Sequence, residues 1–372
     1  MSSMPLLTLV MIVKDEAKSL RRTLESVRGA ADRALILDTG STDGTQDLAR
    51  KLFEGVLPGT MYEEPFVDFA TTRNRSLELC TGQSVFALVL SGDETLVDAP
   101  ALRAFCEKHR DAKGPEHGAY FLPLELAGMR FDSPRLVRLS EGWRFQGVVH
   151  EILCKDGVPP PSIRVPGAHI HHDLAGRDPE RKRRGWERDL ELLRAERRKH
   201  PNDARTAFYF AQTLEDLNRF HEAHAAYQER IALGGWREEL YEARYRLART
   251  GFASGMPWPQ VQQLYLDAFT FAPHRAEPLF AIALYWQQQG NHALAYLFGQ
   301  RAMQLPYPEQ DTLFVRRDIY EHLAAEVVGA SAWYIGEYTA GVAALERALA
   351  VRPGAPELLR NLEFYRGKLP RR

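Results

Sequence analysis

The chain has 372 residues, 45% of them hydrophobic, which is enough for two domains with buried cores. Its net charge of −1 at pH 7 gives no basis for a nucleic-acid partner, and we predict none. Three cysteines without CxxC spacing argue against a disulfide framework and fit a reducing compartment.

The longest apolar run near the N-terminus, residues 6–13, is too short to cross a bilayer and has no cleavage-type segment after it. We interpret it as a buried strand. The sequence therefore predicts a cytoplasmic protein without a transmembrane segment.

Residues 4–172 alternate short apolar runs with amphipathic segments. The runs 6–13, 34–38 and 84–90 have the character of buried strands, and 17–27 and 45–53 have helical spacing. This alternation predicts an α/β fold of Rossmann-like type with a mainly parallel sheet. Ligands of such sheets bind outside the carboxyl ends of the strands.

After about residue 178 the strand-like runs disappear and an internal repeat is found. Residues 206–233 align with 278–305, an offset close to two tetratricopeptide units, and one more helix pair fits between them. Residues 336–353 match the second helix of a further unit. We predict a first domain over 1–175, a linker helix over 176–200 and an all-α tetratricopeptide-like domain over 201–372; an unrelated helical bundle is the alternative.

Two of the predicted strand ends carry polar residues. Asp15 and Glu16 follow the first strand, where a carboxylate also caps the start of a helix. Asp38 ends the second strand, and the turn 40–44 that follows it directs backbone N–H groups toward a ligand. Neither the dinucleotide-binding fingerprint nor the P-loop is present.

The stretch "VLSGDE" (89–94) ends the third apolar run with two adjacent carboxylates, Asp93 and Glu94. Carboxylates at the end of a buried strand suit Mg²⁺ or Mn²⁺, which prefer oxygen ligands. An acidic turn that binds no metal is the alternative.

Six blocks in register carry a family resemblance: "VMIVKDEAKSLRRTLESV", "LILDTGSTDGT", "TTRNRSLEL", "ALVLSGDE", "RFQGVVHE" and "IHHD". Over residues 7–175 the chain resembles glycosyltransferase family 2, whose members have the GT-A fold. The resemblance implies a nucleotide-diphosphate sugar donor, taken here as a UDP-sugar, and a divalent cation. Together with the repeats it is similar to bacterial peptide S-glycosyltransferases of the sublancin type.

The resemblance also implies which residues contact the nucleotide. It places Val13 beside the nucleobase, Glu16 near the ribose, Asp38 at the base edge, Asp43 in the same pocket, Arg73 and Asn74 facing the nucleotide, and Ser91 at a ribose hydroxyl. A guanidinium such as that of Arg73 suits bidentate recognition of phosphate or base oxygens. A surface arginine on a helix is the alternative.

For the cation, the resemblance implies Asp93, with a histidine of "HIHH" as a second ligand. His171 aligns best and His172 is the alternative; three exposed imidazoles on a strand are also compatible with the pattern. An imidazole ligand would favour Mn²⁺ over Mg²⁺. Ser91 stands where the family usually has a carboxylate, so we expect weakened rather than abolished cation binding.

The catalytic base is expected in "VVHE". Inversion at the anomeric carbon needs a group that takes the acceptor's proton, and Glu151 is our choice, with His150 as orienting group or base. A buried His–Glu pair that only supports the fold is the alternative.

These residues predict an inverting, metal-dependent glycosyltransferase acting on a peptide, protein or glycan acceptor. Helical repeats form concave surfaces for extended chains, and oligomerisation through the repeats is compatible with them. The competing hypothesis is a non-catalytic scaffold, in which a degenerate transferase domain accompanies repeats that bind a protein partner.

Overall fold

A computed structural model describes residues 4–126, 129–173 and 179–368, which form two compact units. The first unit comprises the described residues up to 126, 131–173 and 179–196, and the second comprises 129–130 and 197–368. Within the described residues, no helix has both the length and the apolar character needed to cross a membrane.

The first unit contains ten strands and five helices among its described residues, apart from short 3-10 turns. They are β1 (Leu7–Val13), α1 (Leu20–Ser26), β2 (Arg33–Asp38), α2 (Thr45–Gly55), β3 (Gly59–Glu63), α3 (Phe69–Cys80), β4 (Phe86–Val89), β5 (Glu94–Val97), α4 (Ala99–Lys108), β6 (Ala119–Leu126), β7 (Met129–Arg138), β8 (Arg144–Gln146), β9 (Ile152–Cys154), β10 (His169–His172) and α5 (Pro179–Lys199). The ends of β7 and α5 extend into the second unit.

Eight of these strands form one sheet in the order β3-β2-β1-β4-β7-β6-β10-β5, and β8 pairs separately with β9. β1 pairs in parallel with both β2 and β4, and β2 pairs in parallel with β3. The other half is mixed: β4–β7 and β5–β10 are antiparallel, whereas β6–β10 is parallel. The predicted α/β fold is confirmed, with the parallel character concentrated in the N-terminal strands.

Both faces of the parallel strands are buried, as a continuous apolar run requires. Along β1, Leu9 and Met11 belong to one hydrophobic core and Val10 to another. Residues of a strand alternate between the two faces of the sheet, so each face packs against its own layer.

The second unit consists mainly of helices. They are α6 (Ala204–Asp216), α7 (Phe220–Ala232), α8 (Arg237–Ala253), α9 (Trp258–Phe271), α10 (Glu277–Gln288), α11 (His292–Gln304), α12 (Ala324–Ala332), α13 (Tyr338–Val351) and α14 (Pro356–Arg366), with the short strand β11 (Val315–Arg316) and a π-helical turn Ile319–Leu323 before α12. Each helix packs on the next in chain order.

The repeat read from the sequence matches the helix boundaries. α7 begins at Phe220 and α11 at His292, 72 residues later, and the two helices end with the same offset. α8 and α9 form the helix pair predicted between them. The prediction of helical repeats is confirmed, and α14 is an additional helix that the pattern did not indicate.

Candidate active site

Three loops leave the same edge of the sheet. Val13 at the end of β1 lies beside Asp38 at the end of β2, and Val89 at the end of β4 pairs with Val10. Loops 14–19, 39–44 and 90–93 therefore follow the carboxyl ends of neighbouring parallel strands, where α/β proteins bind ligands.

Asp38 organises the second loop. Its buried carboxylate accepts hydrogen bonds from the backbone N–H groups of Gly40 and Ser41 and from the side chains of Ser41 and Gln46. Burial raises the pKa of Asp38, but these donors lower it by more, so the net pKa lies below the ordinary value. The carboxyl is therefore ionised at neutral pH. The residue expected at the base edge thus holds the turn that would form the pocket wall.

The first and second loops are tied together by side-chain to backbone hydrogen bonds. Asp15 N–H donates to Ser41 Oγ at 2.9 Å, Thr42 N–H to Asp15 Oδ1 at 2.7 Å, Glu16 N–H to Thr45 Oγ1 at 2.8 Å, and Ala17 N–H to Asp43 Oδ2 at 3.0 Å. Asp43, predicted in the nucleotide pocket, therefore joins two loops.

Val13 and Glu16 differ in burial and in what they contact. Val13 is buried in the hydrophobic core, so its side chain packs inside the sheet layer. Glu16 accepts a hydrogen bond from Ser19 Oγ at 2.7 Å and lies directly over Gly92. A Cβ at position 92 would be 2.4 Å from Glu16 Cγ, so this contact between the first and third loops requires glycine.

The adjacent residues Arg73 and Asn74 of α3 both contact the segment around β8. Arg73 Nε forms an ion pair with Glu151 Oε1, and its guanidinium lies 5.7 Å from the ring centroid of Phe145. Asn74 donates to Phe145 O at 2.9 Å and accepts from Phe145 N–H at 2.7 Å. Asn74, expected to face a nucleotide, thus binds β8 to α3.

Glu151 is mostly buried, with a side chain 10% exposed. Burial raises the pKa of its carboxyl, but Arg73, helped by Arg135, lowers it by more, so the net pKa lies below the ordinary value. Its neighbour His150 is exposed and has a φ of 50°, a left-handed backbone conformation that is unusual outside glycine. The predicted base is therefore an ionised carboxylate held by an arginine.

The register of β5 and β10 decides which histidine reaches Asp93. His172 pairs with Glu94, and His171 pairs with Thr95 on the opposite face. His172 Nε2 lies 3.3 Å from Asp93 Oδ2, whereas the His171 side chain is exposed. The residue favoured on alignment, His171, points away from Asp93, and the alternative, His172, is beside it.

Glu94 is more buried than its neighbour Asp93, with a side chain 2% exposed. Arg135 of β7 contacts both of its oxygens, at 2.8 and 3.0 Å, and Ser91 N–H donates to Oε2 at 2.8 Å. Burial raises the pKa of Glu94, while Arg135 and the Ser91 amide lower it by more. Ser91 therefore closes the turn that carries Asp93.

Asp93 and His172 fit a divalent cation. Ligands on adjacent octahedral positions about 2.1 Å from an ion lie roughly 3 Å apart, close to the observed 3.3 Å. Burial lowers the pKa of His172, which favours the neutral imidazole that binds metals. Across the described ranges no group of three or more His, Cys, Asp or Glu side chains is placed to bind an ion. Phosphate and water oxygens would complete the coordination.

Arg135 is the residue of this site that the sequence did not indicate. It stands in an ordinary strand segment, "DSPRLVRLS", and nothing in its spacing distinguishes it from Arg138 three residues later. The pairing of β7 with β4 places it beside the third loop, and pairing over such a sequence separation is not readable from local pattern.

Comparisons with known proteins show what the two units are similar to. Residues 8–112 match the family model described as Glycosyl transferase family 2. The TPR repeat-containing protein Synpcc7942_0270 of Synechococcus elongatus is 29% identical over 316 residues, covering 82% of this chain and 68% of that protein. The SPbeta prophage-derived glycosyltransferase SunS of Bacillus subtilis is 25% identical over 231 residues, covering 60% of this chain and 52% of SunS. The match thus spans about half of SunS.

Among solved structures, YrrB, a TPR protein with an unusual peptide-binding site, matches 48% of this chain with a TM-score of 0.37 and 17% identity, over 84% of that chain. The family match lies within the first unit, and the relative from Synechococcus elongatus covers most of both units. The chain is therefore similar to glycosyltransferase family 2 over residues 8–112, and C-terminal tetratricopeptide-like helical repeats follow this region.

Proposed function

We propose that this protein moves a sugar from a nucleotide-diphosphate donor, a UDP-sugar, to a peptide, protein or glycan acceptor, with inversion at the anomeric carbon. The observation that carries the proposal is the position of Asp93 and His172. They lie where the third loop begins a new strand, at the sheet edge from which the first two loops also leave. The family 2 match of this unit supports it.

In this proposal the first two loops bind the nucleoside, and Asp93 with His172 holds a divalent cation. The cation supplies positive charge that stabilises the departing diphosphate. Ser91 in place of a second aspartate leaves one carboxylate fewer for the ion.

We assign the acceptor's proton to Glu151. As the bond from the acceptor heteroatom to the anomeric carbon forms and the bond to the diphosphate breaks, the acceptor's proton moves to the carboxylate. Arg73 keeps that carboxylate ionised and fixes its direction. Arg73 also makes it a weaker base, so the step relies on placement more than on basicity. His150, next in the chain, is the alternative proton acceptor.

The acceptor class rests on the repeats. Stacked helix pairs form extended surfaces that suit chain-like ligands, which favours a peptide, protein or glycan over a small molecule. This part of the proposal is carried by the architecture of the second unit.

The test measures binding of UDP, GDP, ADP and dTDP by calorimetry, with and without Mn²⁺, together with hydrolysis of the matching sugar nucleotides. We expect one nucleoside diphosphate to bind, and more tightly with Mn²⁺. Asp93→Ala should abolish hydrolysis, and Asp47→Ala, at an exposed aspartate of α2, should not.

Absence of binding by every nucleotide at millimolar concentration would refute the enzyme and leave the scaffold hypothesis. A product with retained anomeric configuration, measured by NMR, would refute inversion alone.

A further inference from the structure

The side chain of Arg135, in β7, makes polar contacts through all three of its nitrogen atoms. Its Nε donates to Ser133 Oγ at 2.9 Å, its two terminal nitrogens contact Glu94 at 3.0 and 2.8 Å, and Nη1 also lies 3.3 Å from Val89 O. The side chain is 14% exposed. A guanidinium bound on all three nitrogens is fixed in position, which suits a supporting role.

The contacts of Arg135 converge on the turn between β4 and β5. Val89 is the last residue of β4 and Glu94 the first of β5, so one side chain holds both ends of the turn that contains Asp93. Ser91 N–H also donates to Glu94, from inside the turn. The backbone of this turn is thus closed around the Glu94 carboxylate.

Glu94 also faces His172 across the strand pair. The two are register partners, and His172 Nδ1 lies 4.0 Å from Glu94 Oε1 while its Nε2 lies 3.3 Å from Asp93 Oδ2. The imidazole is therefore placed between two carboxylates, and Arg135 binds one of them, Glu94. At 4.0 Å this contact is longer than a hydrogen bond, but Glu94 lies on the Nδ1 side of the ring, where metal-binding histidines commonly have a carboxylate.

We propose that Arg135 and Glu94 are positioning residues that hold Asp93 and His172 in a geometry able to share one divalent cation. The pair acts through the turn and through the imidazole and does not touch the cation itself. The inference rests on the proposed function, since it concerns the cation of that site. Without Arg135, the buried Glu94 carboxylate would lose its ion-pair partner. The turn would also lose the side chain that contacts both of its ends.

The test uses the full chain and measures Mn²⁺ affinity in the presence of UDP by electron paramagnetic resonance. We expect Glu94→Gln and Arg135→Lys to fold, with affinity for Mn²⁺ about 10- to 100-fold weaker, as when a carboxylate behind a metal-binding histidine is removed. Hydrolysis of the UDP-sugar at saturating Mn²⁺ should recover, so that the concentration of Mn²⁺ for half-maximal rate rises while the maximal rate is largely kept.

A matched control is Glu239→Gln in the second unit. Glu239 and Arg230 form a comparably buried ion pair, with side chains 5% and 0% exposed and a contact of 2.6 Å. This variant should lose stability without any change in Mn²⁺ affinity, which separates positioning of the site from general loss of a buried pair.

Wild-type Mn²⁺ affinity in folded Glu94→Gln and Arg135→Lys would overturn the inference. A wild-type chain that binds neither UDP nor Mn²⁺ would instead refute the proposed function. If Arg135→Lys does not fold, Glu94→Gln alone decides, because it keeps the volume of the side chain and an oxygen for the Ser91 amide.

Discussion

Neighbouring histidines of β10 have opposite surroundings. His172 is on the face that contains Glu94 and the core residue Ile170, and His171 is on the other, exposed face. Two adjacent residues of the same type on one strand allow a comparison in which the substitution is identical and only the face differs.

We expect His172→Ala to reduce the affinity for Mn²⁺ in the presence of UDP by at least about 100-fold, because a direct ligand contributes more than its supporting groups. His171→Ala is the control and should behave as wild type. The measurement is Mn²⁺ titration of both variants. Equal effects of the two substitutions would contradict the assignment of His172.

The pairing of Arg73 with Glu151 predicts a pH effect. The depressed pKa of Glu151 means that its ion pair stabilises the fold above the ordinary carboxyl pKa, and that this stability is lost as pH falls through the depressed value. In Arg73→Met, burial acts with less opposition and the carboxyl pKa rises. The acidic limb of the pH–rate profile should move up by about 1–3 pH units.

Arg75→Met is the matched control for that profile. Arg75 lies on the same helix and pairs with Glu64 on the surface, where its side chain is 46% exposed. Its removal should leave the acidic limb in place. An unchanged limb in Arg73→Met would show that Glu151 is not the group that titrates.

At the scale of elements, the amide of Asn74 makes two hydrogen bonds that attach β8 to α3. Asn74→Ala would remove both hydrogen bonds to the Phe145 backbone, which is buried. The unsatisfied N–H and C=O groups should cost about 2–3 kcal/mol of unfolding free energy. Hydrogen exchange of residues 144–154 should accelerate, because β8 pairs with β9 and both would be held less firmly. Glu151 lies in the segment between these two strands.

Asn74→Asp tests this contact in a graded way. The carboxylate keeps the acceptor for Phe145 N–H and loses the donor to Phe145 O, so exchange should be intermediate. Exchange rates in Asn74→Ala that match the wild type would contradict a structural role for this amide.

The elements differ in how far local sequence determined them. β1, β2 and β4 were predicted because buried parallel strands are continuous apolar runs, and α6 to α11 because a repeated pattern reinforces itself. The sequence favoured His171 and gave His172 only as the alternative. Which of the two lies beside Asp93 depends on the register between β5 and β10, which are more than seventy residues apart. The contact of Arg135 with Glu94 and the ion pair of Arg73 with Glu151 also depend on packing between residues far apart in the sequence.

At the scale of the whole molecule, the second unit has buried charged residues of its own. Glu277 at the start of α10 is 1% exposed and accepts from Arg275, Tyr241, Tyr320 and the backbone of Arg316. Burial raises its pKa, but Arg275 lowers it by more. One carboxylate therefore joins several segments of the repeat unit.

Glu277→Ala should destabilise the full chain by about 3 kcal/mol, because the buried Arg275 guanidinium loses one of its two carboxylate partners, keeping Asp311, and two buried tyrosine hydroxyls lose their acceptor. The measurement is urea denaturation followed by helical circular dichroism. UDP affinity below the transition should be unchanged, since the nucleotide residues belong to the first unit. Glu309→Ala, at an exposed position, is the control. A wild-type urea midpoint in Glu277→Ala would contradict this role.

The hydrogen bonds between the first two loops would affect the thermodynamics of binding of the proposed donor. Four of them, one to the first residue of α2, hold these loops in place through contacts within the chain itself. Binding then does not have to immobilise this wall of the pocket, and a cost of roughly 0.5–1.5 kcal/mol for each side chain ordered is avoided. Evolution of a new nucleotide preference would consequently proceed by replacing side chains on a rigid frame, because remodelling either loop would disturb both.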